Sequence, residues 1–386
     1  MSGCEGEGRP LGADANSTFV DDCALRMVTP SFWRGKRVLL TGHTGFKGSW
    51  LSLWLHSMGA NVVGYALPDQ GERSLFRLAG LARVMRSIEG DVRDVDHLLS
   101  VVADERPEIV IHMAAQALVR CSFRLPVETY STNVMGTVHL LEAVRRVGGA
   151  RVVLNVTSDK CYENRETSRP YTETDPMGGA DPYSSSKGAA ELVTSAYRRS
   201  FFATEGYDEH TVAIASARAG NVIGGGDFAA DRLVVDVVHA FMRDETPLIR
   251  NPGAVRPWQF VLEPLAGYLQ LAERAYTAPG GFSEGWNFGP DERDCQPVAW
   301  VVERIARAWG VGQNWRLDEQ PKVHEAQLLL LDAGKARREL GWRPKLDIGQ
   351  AIDWTVEWYR AYHDREDVGA LTRAQIERYV NNGAHA

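Results

Sequence analysis

The sequence predicts an α/β protein, a doubly wound parallel sheet with a smaller C-terminal α/β cap. Three observations predict it. From Lys36 onward, apolar runs alternate with segments whose apolar residues recur at helical spacing. The runs are continuously rich in Val, Ile and Leu rather than alternating with polar residues, so both faces of the sheet must be covered, as happens when helices wrap a parallel sheet. A glycine array follows the first run, where such a sheet turns into its first helix.

The predicted strands, in order, are RVLLT (37–41), NVVGYAL (61–67), VMRSIEGD (84–91), EIVIHMAA (108–115) and RVVLNVTS (151–158). Helices are predicted between them, most clearly over FKGSWLSLWLHSMG (46–59) and TNVMGTVHLLEAVRRVG (132–148). After about residue 220 the alternation becomes irregular, and Gly, Pro and Trp cluster in GNVIGGGDF, NPGAVRPWQF and GGFSEGWNFGPDE. This part reads as a cap on the sheet's C-terminal edge that lends the sheet one or two strands. LDAGKARRELGWRP, from Leu331, reads as a short helix stopped at Gly341. Trp258, Trp286, Trp309, Trp342, Trp354 and Trp358 are expected in the core.

Composition narrows the function classes. A chain of 386 residues, 44% hydrophobic and 24% charged, has the make-up of an ordinary globular protein with a substantial core. A net charge of -7 offers no basic face to a phosphate backbone, so nucleic acid is not the expected partner. Apolar stretches fall short of the roughly 20 residues that cross a bilayer, and no membrane association is expected. The first thirty or so residues are Gly-rich and acidic, without the basic start and apolar centre of a secretory signal, and are expected to lie outside the fold. Cys4, Cys23, Cys121, Cys161 and Cys295 are scattered and odd in number, and the ten histidines show no metal-ligand spacing. Neither a disulfide framework nor a metal site is expected, and a reducing cytoplasm is the expected compartment.

The glycine array is RVLLTGHTGFKG, with Gly42, Gly45 and Gly48 bracketing Phe46 and Lys47. Glycine lets the backbone turn tightly and approach a pyrophosphate, and the free N–H groups of the following helix start favour negative charge. In its strand–turn–helix setting the array predicts a dinucleotide site. The acid that usually holds the adenosine ribose, about 20 residues on, is absent. Tyr65, Ala66 and Leu67 stand there, with Asp69 slightly beyond, so this position leaves the choice between NAD and NADP open. Asp91, followed by Val92 after the third strand, is a candidate to hydrogen-bond the adenine amino group, with a solvated strand end as the alternative.

Two further stretches carry chemistry. In DPYSSSKGAAE, Tyr183 and Lys187 are four residues apart, on one face of a helix. A phenol with a pKa near ~10 is a poor base, but an ammonium one turn away favours its phenolate. In RVVLNVTSDKCYEN, an apolar strand breaks into Ser158, Asp159 and Lys160. Consecutive strand residues point to opposite faces, so Asp159 and Lys160 reach one ligand only if the strand ends or twists near Thr157.

Together, FWRGKRVLLTGHTGFKGSWLSLWL, HMAAQALVR, TSDKCYEN, PYSSSKGAAE, RAGNVIGGGD and RPWQFVLEPL resemble the extended short-chain dehydrogenase/reductase family, over roughly residues 32–362, and within it the nucleotide-sugar 4,6-dehydratases. The acid-then-lysine order of TSDK sets the chain apart from the dTDP-glucose branch, which carries an acid followed by Glu. The resemblance implies a Rossmann-type fold, NAD as a bound and regenerated cofactor, a cytidine diphosphate sugar as substrate, and a homodimer or homotetramer paired through the helices following Thr132 and Tyr183.

It also implies roles. Ser158, Tyr183 and Lys187 match the oxidation triad, and Asp159 and Lys160 the dehydration pair. The glycine loop, Asp91, Ala114, Ala115, Gln116 and Asn133 match cofactor-facing positions. Asn221, Arg232 and Arg256 match segments that hold the nucleotide diphosphate, a ligand suited to arginine geometry, with turn capping or a plain ion pair as the bland alternatives. The implied domain boundaries are a tail over 1–31, an NAD-binding domain over 32–220, a mainly substrate-binding cap over 221–365 and a C-terminal tail over 366–386.

In the implied reaction Lys160 is the base at sugar carbon 5 and Asp159 the acid at carbon 6. Their reference pKa values, about 10.4 and about 3.9, stand in the wrong order, and the neutral pair would cost roughly 9 kcal/mol in water. A dry site with other cations nearby narrows that gap. A 4-epimerase on the same scaffold would share Tyr183 and Lys187 without needing Asp159 and Lys160. A binding module that senses NAD without chemistry would be expected to lack the tyrosine or the lysine.

Overall fold

The structure, a computed structural model, describes residues 28–69, 73–202, 212–312, 314–319 and 326–382. Residues 1–27, most of the expected N-terminal tail, with Cys4 and Cys23, lie outside the described residues.

The first six strands are Arg37–Thr41 (β1), Asn61–Ala66 (β2), Arg86–Glu89 (β3), Ile109–His112 (β4), Val152–Val156 (β5) and Ala213–Ala219 (β6). Asn221–Ile223 (β7), Leu248–Ile249 (β8), Val255–Phe260 (β9), Gly285–Phe288 (β10), Cys295–Pro297 (β11) and Arg316–Leu317 (β12) follow. The central sheet has seven parallel strands in the order β10-β6-β5-β4-β1-β2-β3. β10 comes from beyond residue 220, so the cap does lend the sheet a strand. A second sheet, β11-β9-β7, stands beside β6, with β7 and β9 parallel from Asn221 opposite Trp258.

Continuous strand hydrophobicity has the physical cause the sequence suggested. Leu39, Val110, Val153 and Ile214 enter the core on one face of the sheet. Val38, Leu40, Ile109, Ile111, Val152 and Leu154 enter a larger core on the other. Adjacent strand residues point to opposite faces, and both faces are covered by helices. Trp258, Trp286, Trp342 and Trp358 are buried, while Trp309 and Trp354 pack half-buried against the same core. The short helix at Ala336–Leu340 stops at Gly341, whose φ of 71° places it in the left-handed region.

Both tails need correction where they are described. Thr29 N–H donates to Glu273 Oε1 at 2.9 Å and Trp33 Nε1 to the same oxygen at 2.6 Å, which docks residues 28–33 onto the helix Leu262–Thr277. The expected C-terminal tail instead contains the helix Val368–Asn381, with Val368, Ile376 and Tyr379 buried. Its anchor is Glu263, a fully buried carboxyl that accepts from Tyr379 Oη at 2.6 Å, Leu346 N at 2.9 Å and Lys345 N at 3.0 Å. Among the described residues, no helix is long and apolar enough to cross a membrane.

Burial pushes the Glu263 carboxyl up to about 7 from an ordinary 4.5, against the pull of its hydrogen-bond donors. Between those two values the folded protein holds a proton that the unfolded chain has lost, so this group's contribution to stability falls as pH rises from about 4.5 to about 7. Glu263→Gln is expected to remove that slope. Denaturant midpoints measured across the window should fall less steeply with pH in the variant than in the parent.

Candidate active site

The C-terminal ends of β1, β4, β5 and β6 open onto a cavity of about 1080 Å³, closed on its far side by β7, β9 and the segments around them. Ligands in open parallel sheets bind at these strand ends, where the strand order reverses, here between β1 and β4.

The glycine loop forms one wall. Gly42 has φ 75°, and a Cβ there would meet the Ala114 backbone nitrogen at 2.7 Å. A Cβ on Gly48 would lie 2.2 Å from the Gly42 carbonyl oxygen, so the helix Phe46–Ser57 can pack this close to the turn only with glycine there. Gly45 begins that helix, and no side chain among the described residues caps it, which leaves its first N–H groups for an anion. Phe46, Lys47, Val92, Ala114, Ala115 and Gln116 also line the cavity. These features fit a dinucleotide's pyrophosphate.

Two expected cofactor positions are engaged otherwise. Asp91 lines the cavity, but its carboxylate is bound by Arg93 through Nε at 2.9 Å and Nη2 at 2.6 Å. Asn133 is buried behind the wall rather than lining it. It accepts from Gln116 N at 2.9 Å and donates to Gln116 O at 3.0 Å and Ser186 Oγ at 2.9 Å. Its amide therefore braces the loop after β4 against the helix Pro182–Tyr197.

The opposite wall carries the reactive groups. β5 ends at Val156, short of the expected Ser158, and a single 3-10 turn, Asp159–Cys161, follows. Ser158 caps that turn: its Oγ accepts from Lys160 N at 3.3 Å and donates to Asp159 Oδ1 at 2.9 Å. The turn answers the geometric difficulty of a regular strand, since Ser158, Asp159 and Lys160 all line the cavity with Tyr183 and Lys187. Asp159 is buried, and its Oδ2 finds no hydrogen-bond partner among the described residues.

The helix of Tyr183 and Lys187 starts cleanly. Asp181 Oδ1 accepts from Ser184 N at 2.9 Å, and Pro182 occupies its first position. Burial, rather than Lys187, governs the phenol: Tyr183 is pushed up to about 12, against the lowering effect of its hydrogen bond with Ser158. Burial likewise pushes the Lys187 ammonium down to about 8, against Glu191 and Cys161, which raise it. Lys187 Nζ reaches the Val156 carbonyl at 3.5 Å.

Behind the turn lies a network that the sequence reading did not find. Arg218 Nε and Nη2 donate to Glu191 Oε1 and Oε2, each at 2.9 Å, with both side chains nearly excluded from water. Thr157 Oγ1 donates to Glu191 Oε1 at 2.5 Å, and Arg218 Nη1 donates to Tyr162 Oη at 2.7 Å. Burial raises the Glu191 carboxyl, but Arg218 and the hydrogen bonds outweigh it and hold it below its ordinary range. Only one signal was available in sequence: Glu191 lies four residues after Lys187, one turn along the same helix.

Asn221, Arg232 and Arg256 also line the cavity. Arg232 Nη1 pairs with Asp227 Oδ2 at 2.7 Å. Arg256 donates to the carbonyls of Val255 at 2.9 Å, Gln327 at 3.1 Å and Ala326. Arg120 and Arg250, neither singled out from sequence, reach the same wall and share Asp231 Oδ1 at 2.8 and 3.1 Å. The arrangement can hold a dinucleotide against the glycine loop and an anionic substrate against the arginines, with Ser158, Asp159, Lys160, Tyr183 and Lys187 between them.

Comparison with known proteins agrees with that geometry. Residues 39–282 match the family described as GDP-mannose 4,6 dehydratase. A CDP-glucose 4,6-dehydratase of Salmonella typhimurium is 52% identical over 355 residues, which cover 92% of this chain and 99% of the relative. A UDP-glucose 4-epimerase of Mycolicibacterium smegmatis is 29% identical over 327 residues, 84% of this chain and 98% of the relative. Among solved structures, a dTDP-glucose 4,6-dehydratase of Streptomyces venezuelae, with NAD bound, superposes with a TM-score of 0.72 at 25% identity, covering 86% of this chain and 98% of that one.

The network behind the turn makes a measurable prediction. Arg218→Met leaves Glu191 charged and unpaired in the interior and should lower stability by about 3–5 kcal/mol. Adding Glu191→Met should recover part of that loss. A double-mutant cycle by denaturant unfolding would show strong coupling, whereas additive losses would mean that the two groups act separately.

Proposed function

The chain belongs to the GDP-mannose 4,6-dehydratase family of extended short-chain dehydrogenases/reductases, and from that membership we propose that it converts CDP-glucose to CDP-4-keto-6-deoxyglucose and water, within deoxysugar biosynthesis. The observation that carries this reading is the turn after β5. It brings an acid and an amine, Asp159 and Lys160, into the same cavity as Tyr183, Lys187 and the glycine loop. A 4-epimerase needs the tyrosine and the lysine but has no use for the other two groups.

NAD, which the glycine loop would hold, would supply the store for one hydride, lost from sugar carbon 4 and regained at carbon 6 as carbon 5 is reprotonated, so that it is restored within each cycle. The remaining steps fall to the chain. Tyr183 Oη takes the proton of the 4-hydroxyl, oriented by Ser158 Oγ, while Lys187 adds positive charge one helical turn away. The ketone at carbon 4 acidifies carbon 5, where Lys160 Nζ removes the proton. Asp159 protonates the departing 6-hydroxyl through Oδ2, the oxygen not already engaged by Ser158. Burial of Asp159 keeps bulk water away from that oxygen. Arg232 and Arg256, with Asn221, hold the diphosphate, and the cytosine base is read from the similarity to the CDP-glucose relative.

The finer setting belongs to the same proposal. Val127, Met135 and Leu192 expose apolar side chains on and beside the helices that follow Thr132 and Tyr183, and a second copy of the chain would cover them in a homodimer. Cys121, Cys161 and Cys295 are free thiols, in keeping with the cytoplasm.

Incubation with CDP-, dTDP-, GDP- and UDP-glucose and catalytic NAD, followed by mass and NMR analysis, should give a 4-keto-6-deoxy product from the CDP-sugar in preference to the others. Turnover of another nucleotide sugar in its place would overturn the substrate assignment. Lys160→Met and Asp159→Asn should slow water loss by about 10²–10⁴-fold while hydride removal at carbon 4 stays detectable, and Tyr183→Phe should suppress both stages. Product formation at the parent rate by Lys160→Met would remove the base from the mechanism.

A further inference from the structure

Lys47 has so far appeared only as a member of the glycine loop, yet its side chain belongs electrically to the catalytic end of the cavity. From the first turn of the helix Phe46–Ser57, Nζ donates to the Tyr268 hydroxyl at 3.2 Å and stands 5.3 Å from the centre of that ring. Tyr268 is fully buried on the helix Leu262–Thr277. The charged and titratable groups facing the amine come from four directions. Lys187 and Arg232 repel its charge and Asp159 attracts it. Tyr183 and Asp159 in turn bear on the Tyr268 hydroxyl.

The amine thus lies between the glycine loop and the catalytic turn, the two places a dinucleotide must connect. Phosphate recognition does not account for it: the uncapped helix start already offers N–H groups to the pyrophosphate, and the ammonium is engaged by a buried phenol instead. Lys47, Lys160, Lys187 and Arg232 line the cavity against the carboxylate of Asp159, so this end of it is rich in cations.

On the reading that this cavity binds NAD, we propose that Lys47 determines which oxidation state of the dinucleotide the protein prefers, its ammonium disfavouring the cationic oxidised nicotinamide relative to the neutral reduced ring. Hydride leaving sugar carbon 4 carries two electrons to the ring and cancels the ring's positive charge, while the hydroxyl proton goes to Tyr183. A fixed positive charge nearby is relieved by that change, so Lys47 favours the oxidation that opens the reaction. A like charge within about 10 Å, at an effective dielectric of about 20, is worth about tenfold in an equilibrium constant. Burial, reinforced by Lys187 and Arg232, lowers the Lys47 amine to about 7, so the effect is strongest below neutrality.

The test is to measure dissociation constants for NAD+ and NADH separately, by calorimetry and by NADH fluorescence, at about pH 6 and about pH 9, on either side of the amine's value. The proteins are the parent, Lys47→Met, Lys47→Gln, Lys47→Arg, and Lys47→Met combined with Tyr268→Phe, which removes the hydroxyl left without its donor. Tyr183, raised to about 12, stays protonated at both pH values, while Lys187, lowered to about 8 and coupled to Lys47 by mutual repulsion, titrates within the window, so the charge-keeping Lys47→Arg is the reference at each pH.

At the lower pH the Met, Gln and double variants should shift the NAD+/NADH affinity ratio about tenfold toward NAD+. The shift should shrink at the higher pH, and Lys47→Arg should match the parent at the lower pH and, still charged, keep that ratio at the higher pH, where the parent loses it. Equal weakening of both forms would assign Lys47 to the phosphates and overturn the proposal, as would an unchanged ratio. Failure of the parent to bind either dinucleotide would overturn the NAD reading itself.

Discussion

Glu191 and Arg218 face each other almost out of reach of water, and both ends of the turn that follows β5 are tied to them, Thr157 to the carboxylate and Tyr162 to the guanidinium. Two charges buried in this way give back in mutual attraction much of what they lose in hydration, so their net gift to stability is small. Their value lies in direction. A bidentate Arg–carboxylate pair is planar and rigid, and it joins the helix of Tyr183 and Lys187 to β6, the strand beside β5. With that frame in place, the turn between Thr157 and Tyr162 has one way to run, and Ser158, Asp159 and Lys160 come out on the cavity side. Beyond Tyr162 the frame extends through Asn287 on β10, which accepts from the tyrosine hydroxyl at 2.6 Å.

Burial acts on the cavity's titratable groups with one physical sense and opposite chemical results. It keeps the Tyr183 phenol protonated and pushes the Lys187 and Lys47 ammoniums toward release of their protons. For the lysines this brings the amine toward a state in which it can take a proton near neutrality, whereas for Tyr183 it opposes the base role, so its phenolate relies on the lowering pull of Ser158 and Arg232. The arginines of the same cavity do not share this behaviour. Arg232, Arg120 and Arg250 are held by Asp227 and Asp231, so they present orientation as well as charge.

Local signals were legible in the sequence and distant ones were not. The glycine loop could be read because its requirements are met within a few residues: a tight turn, a close approach and a helix start. The five early strands could be read from their continuous hydrophobicity, with ends displaced by up to three residues. β5 stops before Ser158 because Thr157 turns aside to Glu191, a partner 34 residues away. Asn133 was read as facing the cofactor, whereas its amide is spent on Gln116 and Ser186. The helix Val368–Asn381 was read as a tail because its contact with the buried Glu263 cannot be seen from either segment alone.

From the order of its residues alone this chain declares a parallel nucleotide-binding sheet, a phosphate-cradling turn, and the Tyr183–Lys187 and Asp159–Lys160 pairs, because each depends on neighbours along the backbone. Folding alone decides that the two pairs share one cavity, that Glu191 and Arg218 hold them there, and that Lys47 joins them. Those outcomes depend on which strands lie side by side and which charges are shut away from water, and neither property is encoded at any single position.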